Sequence, residues 1–273
     1  MNIYFNHISR KISMQLIRPR LLILLLLTLA TPAMAASGPN NLLIYCGITM
    51  VRPLTDIARQ FERQEKITIA IAQGGSEDLY QSAKKSLQGD LYLPGEPVFR
   101  TKHQAEGLLG EYSSLGLNQM GFIVQKGNPK KVKPNLKELL RKDLTVILGS
   151  NESGSVGVEA HRILATAGLY SKVAAKAVQM LPDSRNVMAA MRRGEADITM
   201  SWRATGFFQD NAFLLDVIDL PARIAPPQEL QLTLLTFSKN KVLARKFMKF
   251  AAGPQGQAVF NRYGFITASR AGR

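Results

Sequence analysis

Residues 66–85, KITIAIAQGGSEDLYQSAKK, run from a β-rich segment into a double glycine and then into a helix-forming segment, with Ser76 at the junction. A strand that turns through glycine straight into a helix is half of a strand–helix–strand unit, and this sets the reading of the chain to α/β. Two roles compete for Ser76. Its hydroxyl suits an N-cap, accepting a backbone N–H that the first helical turn leaves unpaired. Alternatively, the glycine turn aims free N–H groups and the positive end of a helix dipole at an anion. Taken alone, the stretch favours the cap.

Outward from this stretch, strands and helices alternate. NLLIYCG (41–47) is a short strand closed by glycine, and PLTDIARQFERQEK (53–66) spaces Leu54, Ile57, Ala58 and Phe61 as one face of an amphipathic helix. GDLYLPG (89–95) is a further strand. Single helices between strands, without hairpin signals, imply parallel pairing. A second unit begins near Gln119, with MGFIVQKG (120–127) and LTVILGS (144–150) as strands and NPKKVKPNLKELL as a loop entering a helix. NESGSVGVEAHRILATAGL (151–169) repeats the Gly-Ser entry into a helix. KAVQMLPDSRNVMAAMRRGEADITMSW (176–202) gives strand, polar turn, helix and strand. The Pro-rich LPARIAPPQE (220–229) crosses back, followed by a strand at LQLTLLTFS and a helical tail. Three loops, CGITM (46–50), GGS (74–76) and SGSVG (153–157), therefore share one design. Ligands in open α/β sheets bind where such loops gather, at the carboxyl ends of strands. That repetition brings the ligand role of Ser76 level with the cap.

The start of the chain reads differently. Arg10, Lys11, Arg18 and Arg20 precede LLILLLLTLATPAMA, with Ala33 and Ala35 in the spacing of a secretory cleavage site. The apolar run is shorter than the roughly 20 residues of a spanning helix. Residues 1–35 are expected to be a cleaved signal peptide, leaving a soluble periplasmic product. The chain has 35 Lys plus Arg and 20 Asp plus Glu, a formal +15; residues 1–35 hold four of the bases and no acid, so +11 belongs to the remainder. Such a balance favours anionic partners. The bases are scattered rather than interleaved with aromatics in one arm, which argues against nucleic acid. Cys46 is the only cysteine, so no intramolecular disulfide is possible, and its strand context reads as a buried small hydrophobe. His103 and His161 stand in no metal-ligand spacing, and neither G-x-S-x-G nor a P-loop is present. No acid–base pair suggests catalysis. No enzyme, metal or cofactor is expected.

The segment GITMVRPLTDIARQFERQEKITIAIAQGGSEDL, then GDLYLPG, then the run from FIVQKGNP through ILGSNESGSVG to RNVMAAMRRGEADITMSW, resembles the periplasmic molybdate-binding proteins of ABC importers. The likeness covers nearly all of the chain beyond residue 35. It implies a two-lobed type II periplasmic binding protein, each lobe a mostly parallel sheet flanked by helices, with the ligand in the cleft between them. The pattern reset near Gln119 and the Pro-rich return at 220–229 put the first lobe at 38–117 with 222–273 and the second at 118–221. The resemblance further implies an oxyanion held by hydroxyls and backbone N–H groups at Thr49 (beside Ile48), Ser76, Ser155, Val156, Asn186, Val187 and Trp202. The expected partners are a small oxyanion of the molybdate or tungstate type and an ABC permease in the inner membrane, the protein itself being a monomer. Two positions depart from the family pattern: Trp202 stands for a tyrosine, and Arg203 for a small or acidic residue. Arg203 reads either as a surface or hinge salt bridge or as a bidentate clamp on the ligand. Arg52 reads as solvated, and Glu77 and Asp78 as suiting the helix dipole. A rival reading on the same fold is an exported interaction protein, adhesin-like or a colonisation factor, that binds an organic acid or phosphorylated metabolite.

Overall fold

The structure is a computed structural model and describes residues 41–152 and 154–266. The expected signal peptide lies outside the described residues. Among those residues no helix is long and apolar enough to cross a membrane.

The strands are β1 (Asn41–Gly47), β2 (Thr68–Gly74), β3 (Leu91–Leu93), β4 (Leu109–Asn118), β5 (Met120–Gln125), β6 (Val146–Gly149), β7 (Gln179–Leu181), β8 (Ile198–Trp202), β9 (Leu215–Asp219) and β10 (Gln228–Leu235). The helices are α1 (Val51–Glu65), α2 (Ser76–Ser86), α3 (Val98–His103), α4 (Ser155–Thr166), α5 (Tyr170–Lys176), α6 (Ser184–Arg192), α7 (Arg203–Gly206), α8 (Gln209–Ala212), α9 (Lys241–Ala252) and α10 (Pro254–Arg262). Two five-stranded sheets result, ordered β2-β1-β3-β10-β4 and β7-β6-β8-β5-β9. The two orders are copies of one plan. In each, three strands joined through helices pair in parallel, and a fourth, β10 or β5, runs antiparallel between its neighbours. The expectation of mostly parallel sheets holds for the strand–helix–strand core and fails for the crossing strands. These enter from the other sheet rather than through a crossover helix, so nothing fixes their direction as parallel.

Each sheet is held by helices that present one apolar face. On α1, Leu54, Ile57, Ala58 and Phe61 are all buried, as their spacing predicts, and Phe61 meets Phe247 of α9 edge-on at 5.2 Å. Burial of each such side chain contributes about 1.5–3 kcal/mol. Cys46 is fully buried in β1, and burial pushes its thiol well above the ordinary range. The second sheet packs Val146 and Leu148 against Val156, Ile163 and Leu164 of α4, with Trp202 in the same core. The chain passes between the sheets at Gln119, whose side-chain nitrogen donates to the carbonyls of Leu220 (3.0 Å) and Ala225 (2.8 Å). One crossing is thereby tied to the other.

Candidate functional site

Four parallel strands end in glycine or proline turns that lead into helix starts: β1 into the 3-10 turn Ile48–Met50 and α1, β2 into α2, β6 toward α4, and β7 into α6. The starts face one another across the two sheets around a cavity of about 10 Å³ lined by Thr49, Ser76, Ser155, Val156, Asp183 and Ser184 with the glycines 74, 75 and 154. The hydroxyl residues there are buried. The N–H groups of Ser76 and Glu77, of Ser155 and Val156, and of Ser184 and Arg185 have no partner among the described residues, as the opening turn of a helix dictates.

The hydroxyls are oriented by fixed donors. The N–H of Gly95 donates to Ser76 Oγ at 3.1 Å, and the indole Nε1 of Trp202 donates to Ser155 Oγ at 3.0 Å. A serine that accepts from a donor-only group keeps its own O–H for another acceptor. Ser76 and Ser155 are thus set as donors. Thr49 Oγ1 and Ser184 Oγ lie 3.0 Å apart, one bonded to the other across the sheets. Gly95 is a steric necessity, since a Cβ there would sit 2.0 Å from Ser155 Oγ.

Helix starts gathered in this way aim N–H and O–H donors into one small space. Residues 42–266 match the family of bacterial extracellular solute-binding proteins. The chain belongs to that family. A binding protein of Haemophilus influenzae is 22% identical over 229 residues, covering 84% of this chain and 91% of that one. Among solved structures, the periplasmic molybdate-binding protein of Azotobacter vinelandii superposes with a TM-score of 0.70 at 16% identity, covering 82% of this chain and 98% of that one. L-phospholactate-bound PEB3 superposes with a TM-score of 0.66 at 16% identity, covering 82% and 99%. The two-lobed periplasmic binding fold expected from the sequence is therefore the fold of this solute-binding protein.

The structure brings Thr49, Ser76, Ser155 and Val156 to one cavity. Ser76 is not the cap of α2: Gly75 holds that position, without a side-chain bond. Asn186 and Val187 do not join them. The N–H of Asn186 donates to Asp183 Oδ1 and that of Val187 to the carbonyl of Asp183, so both are consumed within α6; the Asn186 side chain is exposed and that of Val187 lies in the core. The residue that this helix start brings to the cavity wall is Ser184, two residues before Asn186, because Asp183 is the cap. Pro182-Asp183-Ser184 ahead of an amphipathic run carried that signal. Trp202 is wholly buried and absent from the cavity wall, where it holds the Ser155 hydroxyl from behind. Arg203 is a salt bridge rather than a clamp: it pairs with Asp219 at 2.7 and 3.2 Å, donates to the carbonyl of Gly264 and stacks over Phe207. Arg52 is also paired, bidentately with Asp210 at 2.6 and 2.8 Å.

Two carboxyls with displaced pKa values adjoin Ser76 and Gly95 in sequence. Glu77 of α2 accepts from Gln81, His103 and Lys102; burial alone raises its pKa, but these bonds outweigh it and hold the carboxyl down at about 2. Glu96, next to Gly95, is buried and pushed up to about 9 by that burial and by the carboxylate of Glu159. Glu159 is itself bound bidentately by Arg162 at 2.6 Å. No group of three or more metal-ligating side chains occurs among the described residues.

Proposed function

We propose that this solute-binding protein is the exported capture component of an ABC importer, working as a periplasmic monomer that takes a tetrahedral oxyanion between its lobes and delivers it to an inner-membrane permease. Molybdate and tungstate are free ions of that shape, as are sulfate and phosphate. The lobes are proposed as 38–117 with 222–273, and 118–221, after removal of 1–35. The observation that carries this reading is the pair of oriented hydroxyls, Ser76 held by Gly95 and Ser155 held by Trp202, beside unpartnered N–H groups at helix starts. Every one of these groups donates. Apart from the Asp183 carboxylate, which accepts from the Asn186 N–H, the wall offers donors and no lysine or arginine; it selects an anion through dipoles and avoids burying positive counter-charges that cost several kcal/mol to desolvate. Thr49 and Ser184 separate to admit the ion, and the N–H groups behind them complete its shell. Because the donors come from both sheets, the ion binds the closed form best and shifts the lobes toward closure.

The test is a thermal-shift series with molybdate, tungstate, sulfate and phosphate, followed by calorimetry on the best. A ligand that binds only the folded state raises stability by about RT ln(1 + [L]/Kd), which is about 2.7 kcal/mol at a hundred times Kd. A melting temperature that moves with none of these ions, nor with their organic esters, overturns the reading.

A further inference from the structure

The small cavity does not end at Thr49 and Ser184. Both residues also line a second cavity of about 240 Å³, whose far walls carry Arg185, Arg192, Met188 and Phe208. The smaller space, about 10 Å³, holds scarcely one water. Separating the Thr49 and Ser184 hydroxyls, now 3.0 Å apart, joins the two. A free tetrahedral ion has no use for the larger space.

The charge of that space is distinctive. Arg52, Arg185 and Arg192 line it against one acid, Asp210, and Arg52 holds both oxygens of that carboxylate. Arg192 donates to Asn211 and reaches Asp210 only at 3.4 Å. Arg185 donates to the neutral side-chain oxygen of Gln73 at 2.6 Å and has no carboxylate partner among the described residues. Two guanidinium groups are thus left without full neutralisation in a concavity that also offers apolar wall. Arginine's planar fork suits a carboxylate bidentately, and the apolar wall suits a short carbon chain.

We propose that the preferred solute is a small organic acid carrying both a tetrahedral oxyanion and a carboxylate, with the oxyanion at the helix starts and the carboxylate against Arg185 and Arg192. This rests on the reading of the helix starts as the oxyanion seat. The bare ion fills the seat alone; the bifunctional acid fills both spaces and bridges them through the gap between Thr49 and Ser184.

Calorimetric titration with 3-phosphoglycerate, glycerol 3-phosphate, phosphate and molybdate tests it. The first two probes differ in the carboxylate and share the phosphate ester. The expected result is binding of 3-phosphoglycerate at least tenfold tighter than of glycerol 3-phosphate or phosphate, with Arg185→Gln removing most of that advantage. The loss for 3-phosphoglycerate in this variant should exceed the loss for phosphate at least fivefold. Equal losses for both mean a long-range field rather than a carboxylate contact and overturn the proposal. Molybdate or phosphate binding as tightly as 3-phosphoglycerate overturns it too, while leaving the oxyanion seat standing. If no probe binds, the seat itself fails and the proposal falls with it.

Discussion

Ser76→Ala is the perturbation that tests the seat most directly. In the structure its hydroxyl accepts from the Gly95 N–H at 3.1 Å and is 2% exposed, so the alanine leaves a buried backbone N–H without a partner. An unsatisfied buried donor costs about 1–3 kcal/mol, and stability without ligand should fall by that order. Affinity should fall as well. The serine oxygen accepts and its hydrogen donates at the same time, so in the liganded protein one oxyanion bond disappears along with the group that polarised it. A bond to a charged acceptor contributes about 1.5–3 kcal/mol, or about ten- to a hundredfold in Kd. Urea melts without ligand, run beside calorimetric titration with molybdate or phosphate, separate the two losses. Lowered stability with affinity changed less than about twofold would mean that Ser76 only braces Gly95, and the seat would have to be drawn without it.

Glu96 makes stability depend on pH in the alkaline direction. Its folded pKa is raised from 4.5 to about 9, so the folded state binds the extra proton and stability is lost as pH rises between those values; Glu96→Gln should flatten that decline in thermal melts taken from about pH 5 to 9. Glu77 acts in the opposite sense. Its folded pKa is lowered from 4.5 to about 2, so its contribution is present above 4.5 and is lost as pH falls toward 2, and Glu77→Gln should raise the pH midpoint of acid unfolding measured by circular dichroism. Asp183 brings a carboxylate to the wall of the seat while capping α6, and asparagine caps equally well. Asp183→Asn should therefore tighten oxyanion binding by about 1 kcal/mol, several-fold in Kd by calorimetry, with little change in stability.

The parts of the fold that repeat were the parts legible in the sequence. Strands buried on both faces, such as β1, and helices with one apolar face, such as α1, write their burial into the residue pattern. β4 and β9 do not. Both are edge strands, partly exposed; β4 carries Gly110, Gly116 and two serines, and Asp216 and Asp219 interrupt the apolar run at β9. The direction of β5 and β10 was equally hidden, because it depends on where the crossing enters rather than on the strand's own residues. At the seat, the glycine-serine turns were visible as local signals. Ser184 was missed because the resemblance put the contact of this helix start on Asn186 and Val187. The roles of Trp202 and Arg203 depend on partners 47 and 16 residues away, a separation that no short pattern encodes.

On the proposed function, the two oriented hydroxyls make closure and recognition one event. The relay from Gly95 to Ser76 belongs to the first sheet, and the relay from Trp202 to Ser155 belongs to the second. They meet only when Ser155 rests on Gly95, an approach that any side chain at position 95 would block. Other contacts accompany them: Ala204 and Phe208 pack into the core of the first sheet, Phe208 edge-on to Tyr263 at 5.8 Å, while Arg52–Asp210 is nearly half exposed on both sides, and such pairs contribute about 0–1 kcal/mol. The Thr49–Ser184 bond is neutral and, on the proposed function, gives way to the ligand. On the proposed function, a solute that takes donors from both relays adds to these contacts and shifts the balance between open and closed. A ligand reaching only one sheet would leave that balance unmoved, however tightly it bound.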